Sequence, residues 1–205
     1  MGIYTDYPDY LYKNDGVYND GGIYKEGTGD YETVTFGGIE YGICQIGDLL
    51  WTTENLKNYT SGAKYFQDSQ LYKDLGYLYP TVSIVSATNT QSPFIENLVH
   101  DGWRVPTKAD LETLLDVPVN DLKNDRWPSP GDNSSGFSGY PSGTCSHGGA
   151  WGDINIFVMI SQTLTYGSDA WYGQLINGGY SVLANGRALV DEGQRLRSVR
   201  LCKDA

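Results

Sequence analysis

Hydrophobic and polar residues alternate over short segments of this chain, a pattern that predicts strands more often than helices. Two alternating segments, Glu40–Ile46 and Leu49–Thr53, flank Gly47-Asp48 and predict a hairpin. A further strand signal, Thr33–Phe36, precedes them, and the apolar run Ile154–Ile160 predicts a central strand. The chain is therefore expected to be rich in β structure.

The C-terminal part, Tyr166–Asp204, interleaves turn residues with single aromatic or branched side chains. This pattern predicts short strands and loops that present side chains to a partner, and it offers no obvious catalytic apparatus. The segment Leu196–Cys202 alternates apolar and basic residues, which predicts a strand with one buried face.

The clearest helix signal is Lys108–Leu115. Thr107 is a suitable N-cap, Asp110 lies in the first turn, and the leucines of the segment form one apolar face. Weaker signals predict two short helices, at Asp68–Leu75 and Asp121–Asp125. Residues 129–152 are rich in Gly and Ser and predict one long loop. A loop of that length inside a compact domain is often functional.

Composition narrows the classes of function. The 205 residues allow one substantial domain with a small appendage, and 17 Tyr with 26 Gly favour β structure and recognition surfaces. A net charge of −11 repels phosphate backbones and sets nucleic-acid binding aside. The longest apolar runs are too short to span a bilayer, so membrane insertion is not expected.

Residues 1–36 form a Tyr- and Gly-rich segment in which Asn19-Asp20-Gly21-Gly22 predicts a β hairpin. The segment has too few aliphatic residues for a core of its own, so we expect it to pack on a neighbour or on another subunit. It carries no basic and apolar leader. If the chain begins here, release by cell lysis is the expected route outside.

Candidate chemistry is sparse. Cys44, Cys145 and Cys202 lie far apart and predict buried thiols, although one disulfide stays open. Cys145 with His147 is a conceivable thiolate–imidazole pair, but an ordinary thiol is the favoured interpretation. The two histidines have no ligand-like spacing, and neither metal nor other cofactor is expected.

The five tryptophans divide by context. Trp51, Trp103 and Trp171 stand among strand residues, which favours a place in the core. Trp127 and Trp151 stand beside Pro and Gly in loops and are better candidates for contact with a ligand.

Several motifs occur in the order found in a known family. They are Ile46–Leu56 (IGDLLWTTENL), Gly76–Tyr79 (GYLY), Asp101–Thr107 (DGWRVPT), Gly136–Ser138 (GFS), Ala170-Trp171 and Arg197–Arg200 (RSVR). Together they resemble the Fibrobacter succinogenes major paralogous domain, over roughly residues 40–204. The chain departs from the family's CPSGW element, with Val99–Trp103 in its place, so the resemblance leaves Cys202 without the disulfide partner of that position.

The resemblance implies an α+β, C-type-lectin-like fold with mixed short sheets, one clear helix and long loops, over residues 37–205. Some such proteins carry a C-terminal region that a diversity-generating retroelement varies. The resemblance implies that the positions varied in those proteins are the candidate ligand-binding residues here, and Trp151 is added because it lies in a predicted loop. The candidates are Tyr166, Ser168, Asp169, Tyr172, Gln174, Ile176, Tyr180, Ser181, Leu183, Asn185 and Trp151. Ala170, Trp171 and Val182 fall on slots of the constant type. A diversified copy and a paralogue that never varied both fit this sequence.

Tyr172, Gln174 and Ile176 are spaced by two, which predicts one strand face, and Tyr among Gly, Ser and Asn is typical of adaptable binding surfaces. We therefore expect a non-catalytic protein that binds a host or bacterial cell-surface protein or glycan. Residues 1–36 would dock it to a virion or to sister subunits, which allows a homo-oligomer. The location expected is the virion, or the outside after lysis. The alternatives are a structural adhesin or pilus-type component at the bacterial cell surface and, less favoured, a thiol- or metal-using enzyme of the formylglycine-generating type.

Overall fold

A computed structural model describes residues 32–86, 90–145, 150–164, 169–177, 180–187 and 195–205. Twelve α-helices and β-strands are assigned in these ranges: β1 Thr33–Phe36, β2 Ile39–Ile46, β3 Leu49–Thr52, β4 Tyr79–Pro80, α1 Pro93–Leu98, α2 Lys108–Leu115, α3 Val119–Leu122, β5 Ile156–Leu164, β6 Asp169–Ile176, β7 Tyr180–Arg187, β8 Leu196–Arg197 and β9 Cys202–Asp204. The fold is mixed α+β, mostly strands in small sheets with few helices, as expected. The hairpin predicted between residues 17 and 24 lies outside the described residues.

A four-stranded antiparallel sheet in the order β1-β2-β3-β9 joins the start and the end of the described chain. Its β2–β3 hairpin turns at Gly47-Asp48, where Gly47 adopts φ +59°, a backbone conformation that glycine tolerates best. The predicted hairpin is confirmed at the predicted turn. β9 pairs with β3, so Cys202 lies opposite Trp51.

A second antiparallel sheet has three strands in the order β5-β6-β7. The apolar run predicted as a strand is confirmed as β5, although β5 begins at Ile156 and is an outer strand of its sheet. Backbone hydrogen bonds with Ser198 tie β5 to the C-terminal segment, since Ile160 N donates to Ser198 O and Ser198 N donates to Val158 O.

The helix predicted at Lys108–Leu115 is confirmed as α2. Thr107 Oγ1 accepts from the Asp110 amide at 3.2 Å, and the Asp110 carboxylate accepts from the Thr107 amide at 2.6 Å, which completes a capping box. The other two predicted helices differ: residues 66–68 and 70–75 form 3₁₀ segments, and α3 begins two residues before Asp121. Pro118 occupies its N-cap position.

The predicted strand Leu196–Cys202 with one buried face is wrong. The segment begins with the short strand β8, Leu196–Arg197, and its last residue, Cys202, begins β9, while the residues between them are not in a strand. Every residue from Leu196 to Cys202 is buried, Arg197 and Arg200 included. Arg200 is buried because its guanidinium finds four oxygen acceptors inside the protein. Internal hydrogen bonds of this kind compensate the loss of hydration that normally keeps arginine at the surface.

The tryptophans show a similar contrast. Trp51 and Trp103 are buried, as predicted, and Trp171 is half-buried. The prediction that Trp127 is a contact residue in a loop is wrong, because Trp127 is buried in a hydrophobic cluster with Leu122 and donates from Nε1 to Gly139 O at 2.7 Å. The predicted buried thiols are confirmed for all three cysteines, none of which is in a disulfide.

Candidate functional site

One face of β6 presents Tyr172, Gln174 and Ile176, and we call these three residues with Val182 and Ala184 the outward face. Cross-strand pairing sets Gln174 opposite Val182 and Tyr172 opposite Ala184, and residues paired in this way share a side of the sheet. All five are partly exposed. The prediction that Tyr172, Gln174 and Ile176 lie on one strand face is confirmed.

The alternate residues of β6 point to the opposite side, toward α2. A side-chain carbon at Gly173 would contact Leu111 and Leu115 of α2, and Leu175 is buried in the same cluster as Leu111. The ammonium of Lys108, at the start of α2, lies 4.7 Å from the ring centre of Trp171. β6 therefore has one side fixed against the helix and one side with partial access to solvent.

The predicted site residues on β7 do not all join the outward face. Ser181 pairs with Leu175 and Leu183 pairs with Gly173, which sets both on the side of α2. Ser181 Oγ donates to Leu115 O at 3.4 Å, and Leu183 packs against the cluster that holds Leu111. Both side chains are only partly exposed.

Val182 and Ala184 occupy the outward positions of β7, and sequence reasoning missed them. The family resemblance assigns Val182 to a constant position and makes no assignment for Ala184. The signal that could have found them is the register of the β6–β7 hairpin, because residues paired across two antiparallel strands share a face.

Other predicted residues are placed only in part. Tyr166, Ser168 and His147 lie outside the described residues. Only the backbone is described for Asp169, Tyr180 and Asn185, which pair with Arg187, Ile176 and Trp171. Trp151 pairs with Cys145, and its half-buried ring lies 5.5 Å from that of Phe66, within a separate hydrophobic cluster.

Arg197 lies next to the outward face and Arg195 lies near Arg197, and sequence reasoning missed both. The guanidinium carbon of Arg197 lies 4.5 Å from the ring centre of Tyr172, although only 6% of Arg197 is exposed. Among the described residues its side chain donates one hydrogen bond, to Thr81 Oγ1 at 3.5 Å. Arg195, two residues earlier, is partly exposed and has a buried Nε atom without an acceptor.

The electrostatics of Arg197 follow from this setting. Burial lowers its pKa to about 10, and the nearby charge of Arg195 acts in the same direction. At neutral pH the guanidinium is still protonated. Among the described residues no carboxylate forms an ion pair with Arg195 or Arg197. The outward face therefore borders a local positive charge in a strongly acidic chain.

The thiol considered for catalysis has a different environment. Burial raises the pKa of Cys145, partly opposed by the charge of Lys64, whereas a nucleophilic cysteine needs a lowered pKa. Within the described ranges, no three His, Cys, Asp or Glu residues come together as a metal site would require. Asn55, an oxygen-bearing side chain of the ENL motif, is buried and donates from Nδ2 to Leu75 O at 2.9 Å.

The described geometry thus offers a partly exposed strand face, backed by a helix and bordered by two arginines. No helix within the described ranges has the length and apolar character needed to cross a membrane. Comparison of the chain with protein-family models, with curated proteins and with solved structures gave no significant match.

Proposed function

We propose that this chain is a non-catalytic ligand-binding protein of the C-type-lectin-like type, and that its outward face contacts a protein or glycan on a cell surface. The observation that carries the proposal is the division of β6. Leu175 is buried toward α2 while its neighbours Gln174 and Ile176 are partly exposed. Substitutions can therefore change the binding side without removing side chains from the core.

The surroundings of Arg200 support the family resemblance. Its guanidinium donates to Asn55 Oδ1, from the ENL motif, and to the carbonyls of Phe137 and Ser138, from the GFS motif. Arg200 itself belongs to the RSVR motif. Residues of three separate motifs thus meet in one buried network, as expected when motifs are retained together for a common fold.

The same region also suggests that the outward face is held rigidly by the strands behind it. Ser198, two residues before Arg200, exchanges backbone hydrogen bonds with β5, which is the strand next to β6. Its hydroxyl also lies 2.7 Å from Ser142 Oγ. A rigid support reduces the entropy lost on binding, which favours recognition by exchangeable side chains.

The wider setting of the proposal is a virion protein, or one released by lysis, that acts in several copies. The Tyr-rich residues 1–36 would dock the chain to a virion structure or to sister subunits, and several copies would raise a modest affinity per site. Retroelement diversification of the C-terminal region is part of this proposal. An adjacent reverse-transcriptase gene, with a near-identical repeat that differs only at adenines, would support it.

Binding is tested with the full chain, labelled and tetramerised, on a glycan array and on a panel of bacterial cells. We expect binding to a subset of these targets and its loss in the triple variant Tyr172→Ala, Gln174→Ala, Ile176→Ala. Tyr59→Ala is the matched control, because Tyr59 is 67% exposed and lies outside β6. A triple variant that unfolds, or that binds every target as the unmodified chain does, would overturn the proposal.

The adhesin alternative predicts a different result. A structural surface component without a ligand site would assemble with copies of itself, and substitutions on the outward face would leave the array signal of the chain unchanged. A leader segment encoded upstream would favour that alternative. The enzyme alternative is tested by metal analysis of the purified chain and by Cys145→Ser.

A further inference from the structure

Arg197 carries a buried charge that the described protein does not compensate. Moving a guanidinium out of water costs several kcal/mol unless a carboxylate or a set of good acceptors replaces the lost hydration. Arg200 has such a set, with four hydrogen bonds of 2.8–3.0 Å to oxygens. Arg197 has one hydrogen bond of 3.5 Å and the ring of Tyr172.

The ring of Tyr172 does not replace a counter-ion. A cation–π contact contributes about 0.5–2 kcal/mol, which is less than the cost of burying the charge. Arg195 adds a second positive charge, and its Nε atom is buried without an acceptor. Arg195 lies two positions before Arg197 and its charge acts on Arg197, so the two guanidinium groups can act on one bound group.

We propose that Arg195 and Arg197 bind an oxyanion, the carboxylate or sulfate group of an acidic saccharide, at the edge of the outward face. A guanidinium fork matches a carboxylate or sulfate with two parallel hydrogen bonds, and burial strengthens them. The oxyanion supplies further acceptors to the guanidinium of Arg197 and an acceptor to the Nε atom of Arg195, which has none among the described residues. This inference rests on the proposed binding role of the outward face and names the class of ligand.

The neighbouring side chains suit the rest of a sugar. Tyr172 contributes an aromatic ring, and Gln174, next along the same face, contributes an amide that both donates and accepts hydrogen bonds to hydroxyl groups. The net charge of −11 repels acidic ligands from most of the surface. A local concentration of positive charge, as at Arg195 and Arg197, is what lets this chain bind an acidic ligand.

The test is thermal unfolding of the full chain with glucuronate, with glucose 6-sulfate and with neutral glucose, at equal ionic strength. We expect one or both acidic sugars to raise Tm by about 2–5 °C and glucose to leave it unchanged. Glucuronate and glucose 6-sulfate separate the carboxylate from the sulfate. Absence of a shift with both acidic sugars would overturn the proposal.

Arg197→Met separates a binding role from a structural one. Methionine fills a similar volume without the charge, so this variant should match or exceed the Tm of the unmodified chain while the response to acidic sugars disappears. Arg200→Met is the matched control, with a lowered Tm. If Arg197→Met keeps the full response to acidic sugars, or if it lowers Tm as Arg200→Met does, the oxyanion site is refuted.

This outcome is distinct from failure of the proposed function. Array binding that needs Tyr172 and Gln174 but is unaffected by Arg197→Met keeps the binding face and removes the oxyanion site. An acidic peptide such as pentaglutamate that raises Tm where the acidic sugars do not would overturn the saccharide assignment.

Discussion

Arg200 donates from Nε to Oδ1 of Asn55 at 2.8 Å, which joins two residues 145 positions apart in the chain. The same guanidinium donates to the carbonyls of Thr52, Phe137 and Ser138. One side chain thus connects the β3 end, the long loop and the C-terminal segment. It lies within 4.7 Å of the Phe137 ring centre, so its flat faces are covered as well.

Replacing Arg200 by Met should lower the free energy of unfolding by about 3–5 kcal/mol, because four buried acceptors lose their donor. Urea unfolding followed by tryptophan fluorescence measures the change. Lys203→Met, in the neighbouring strand β9, is the control and should change stability by less than about 1 kcal/mol. Equal effects of the two substitutions would show that the Arg200 network does not hold the segments together.

Adjacent residues of β6 should differ in their sensitivity to truncation. Leu175→Ala leaves a cavity in the cluster against α2 and should cost about 2–5 kcal/mol, since Leu175 is 2% exposed. Ile176→Ala, on the partly exposed outward face, should cost about 1 kcal/mol. Unfolding of both variants under the same conditions is the measurement. A reversed order would mean that the two faces of β6 are assigned the wrong way round.

Gly143 should not tolerate alanine. It adopts φ +69°, and a Cβ atom there would lie 2.2 Å from Cε2 of Phe66. We expect Gly143→Ala to cost about 2–4 kcal/mol through strain and through displacement of the Phe66 ring. Gly102 is the control, because its φ is +81° but a Cβ atom would meet nothing within 4 Å. Gly102→Ala should cost about 1–2 kcal/mol, the backbone contribution alone.

The capping carboxylate of α2 should make stability depend on pH. Burial alone would raise the pKa of Asp110, but hydrogen bonds from Arg104 and Thr107 outweigh it, and the pKa lies below its usual value. Because the pKa of Asp110 is lower in the folded chain than in the unfolded chain, ionisation of Asp110 stabilises the folded state at pH values above the usual carboxyl pKa. This stabilisation is lost as the pH falls through the lowered pKa. Asp110→Asn should therefore be less stable than the unmodified chain by about 1–3 kcal/mol at pH 7.

That difference should begin to shrink below about pH 4, where Asp110 of the unfolded chain binds a proton, and should be lost as the pH falls through the lower pKa of Asp110 in the folded chain. Unfolding of both proteins from pH 7 to pH 2.5 measures it. Glu112→Gln is the control, because Glu112 is half-exposed and pairs only with Lys108 among the described residues. A difference between Asp110→Asn and the unmodified chain that is the same at all pH values would exclude ionisation of Asp110 as its cause.

The thiols should be unreactive until the chain unfolds. Burial raises the pKa of Cys44 to about 12, and burial likewise raises the pKa values of Cys145 and Cys202. We expect slow reaction of the native chain with a disulfide reagent at pH 8, and rapid reaction of all three thiols in denaturant. A fast reaction of native Cys145, removed by Cys145→Ser, would instead favour the thiol-enzyme alternative.

Local features of this fold follow from the sequence because their causes are local. The start of α2 depends on Thr107 and Asp110, which are three residues apart, and the β2–β3 hairpin depends on Gly47-Asp48 at its turn. That Tyr172, Gln174 and Ile176 share one face of their strand follows from strand alternation alone. For such features a short window of sequence contains every interacting group.

Features that depend on distant partners were not accessible in the same way. Arg197 and Arg200 are of a residue type that is normally exposed, yet both are buried, and the acceptors of Arg200 come from segments far away in the chain. The division of Ser181 and Leu183 from the outward face depends on the register between β6 and β7. Alternation within one strand does not fix which of its two faces meets the core.

The register of β6 has a consequence at the level of the gene. Outward positions recur at every second codon, so base changes spaced by six nucleotides alter the outward face and leave the intervening core codons intact. Inserting or deleting a single codon would exchange the two sets of side chains and send polar groups into the interior. Lineages of this gene should accumulate replacements in this stretch while its length stays constant.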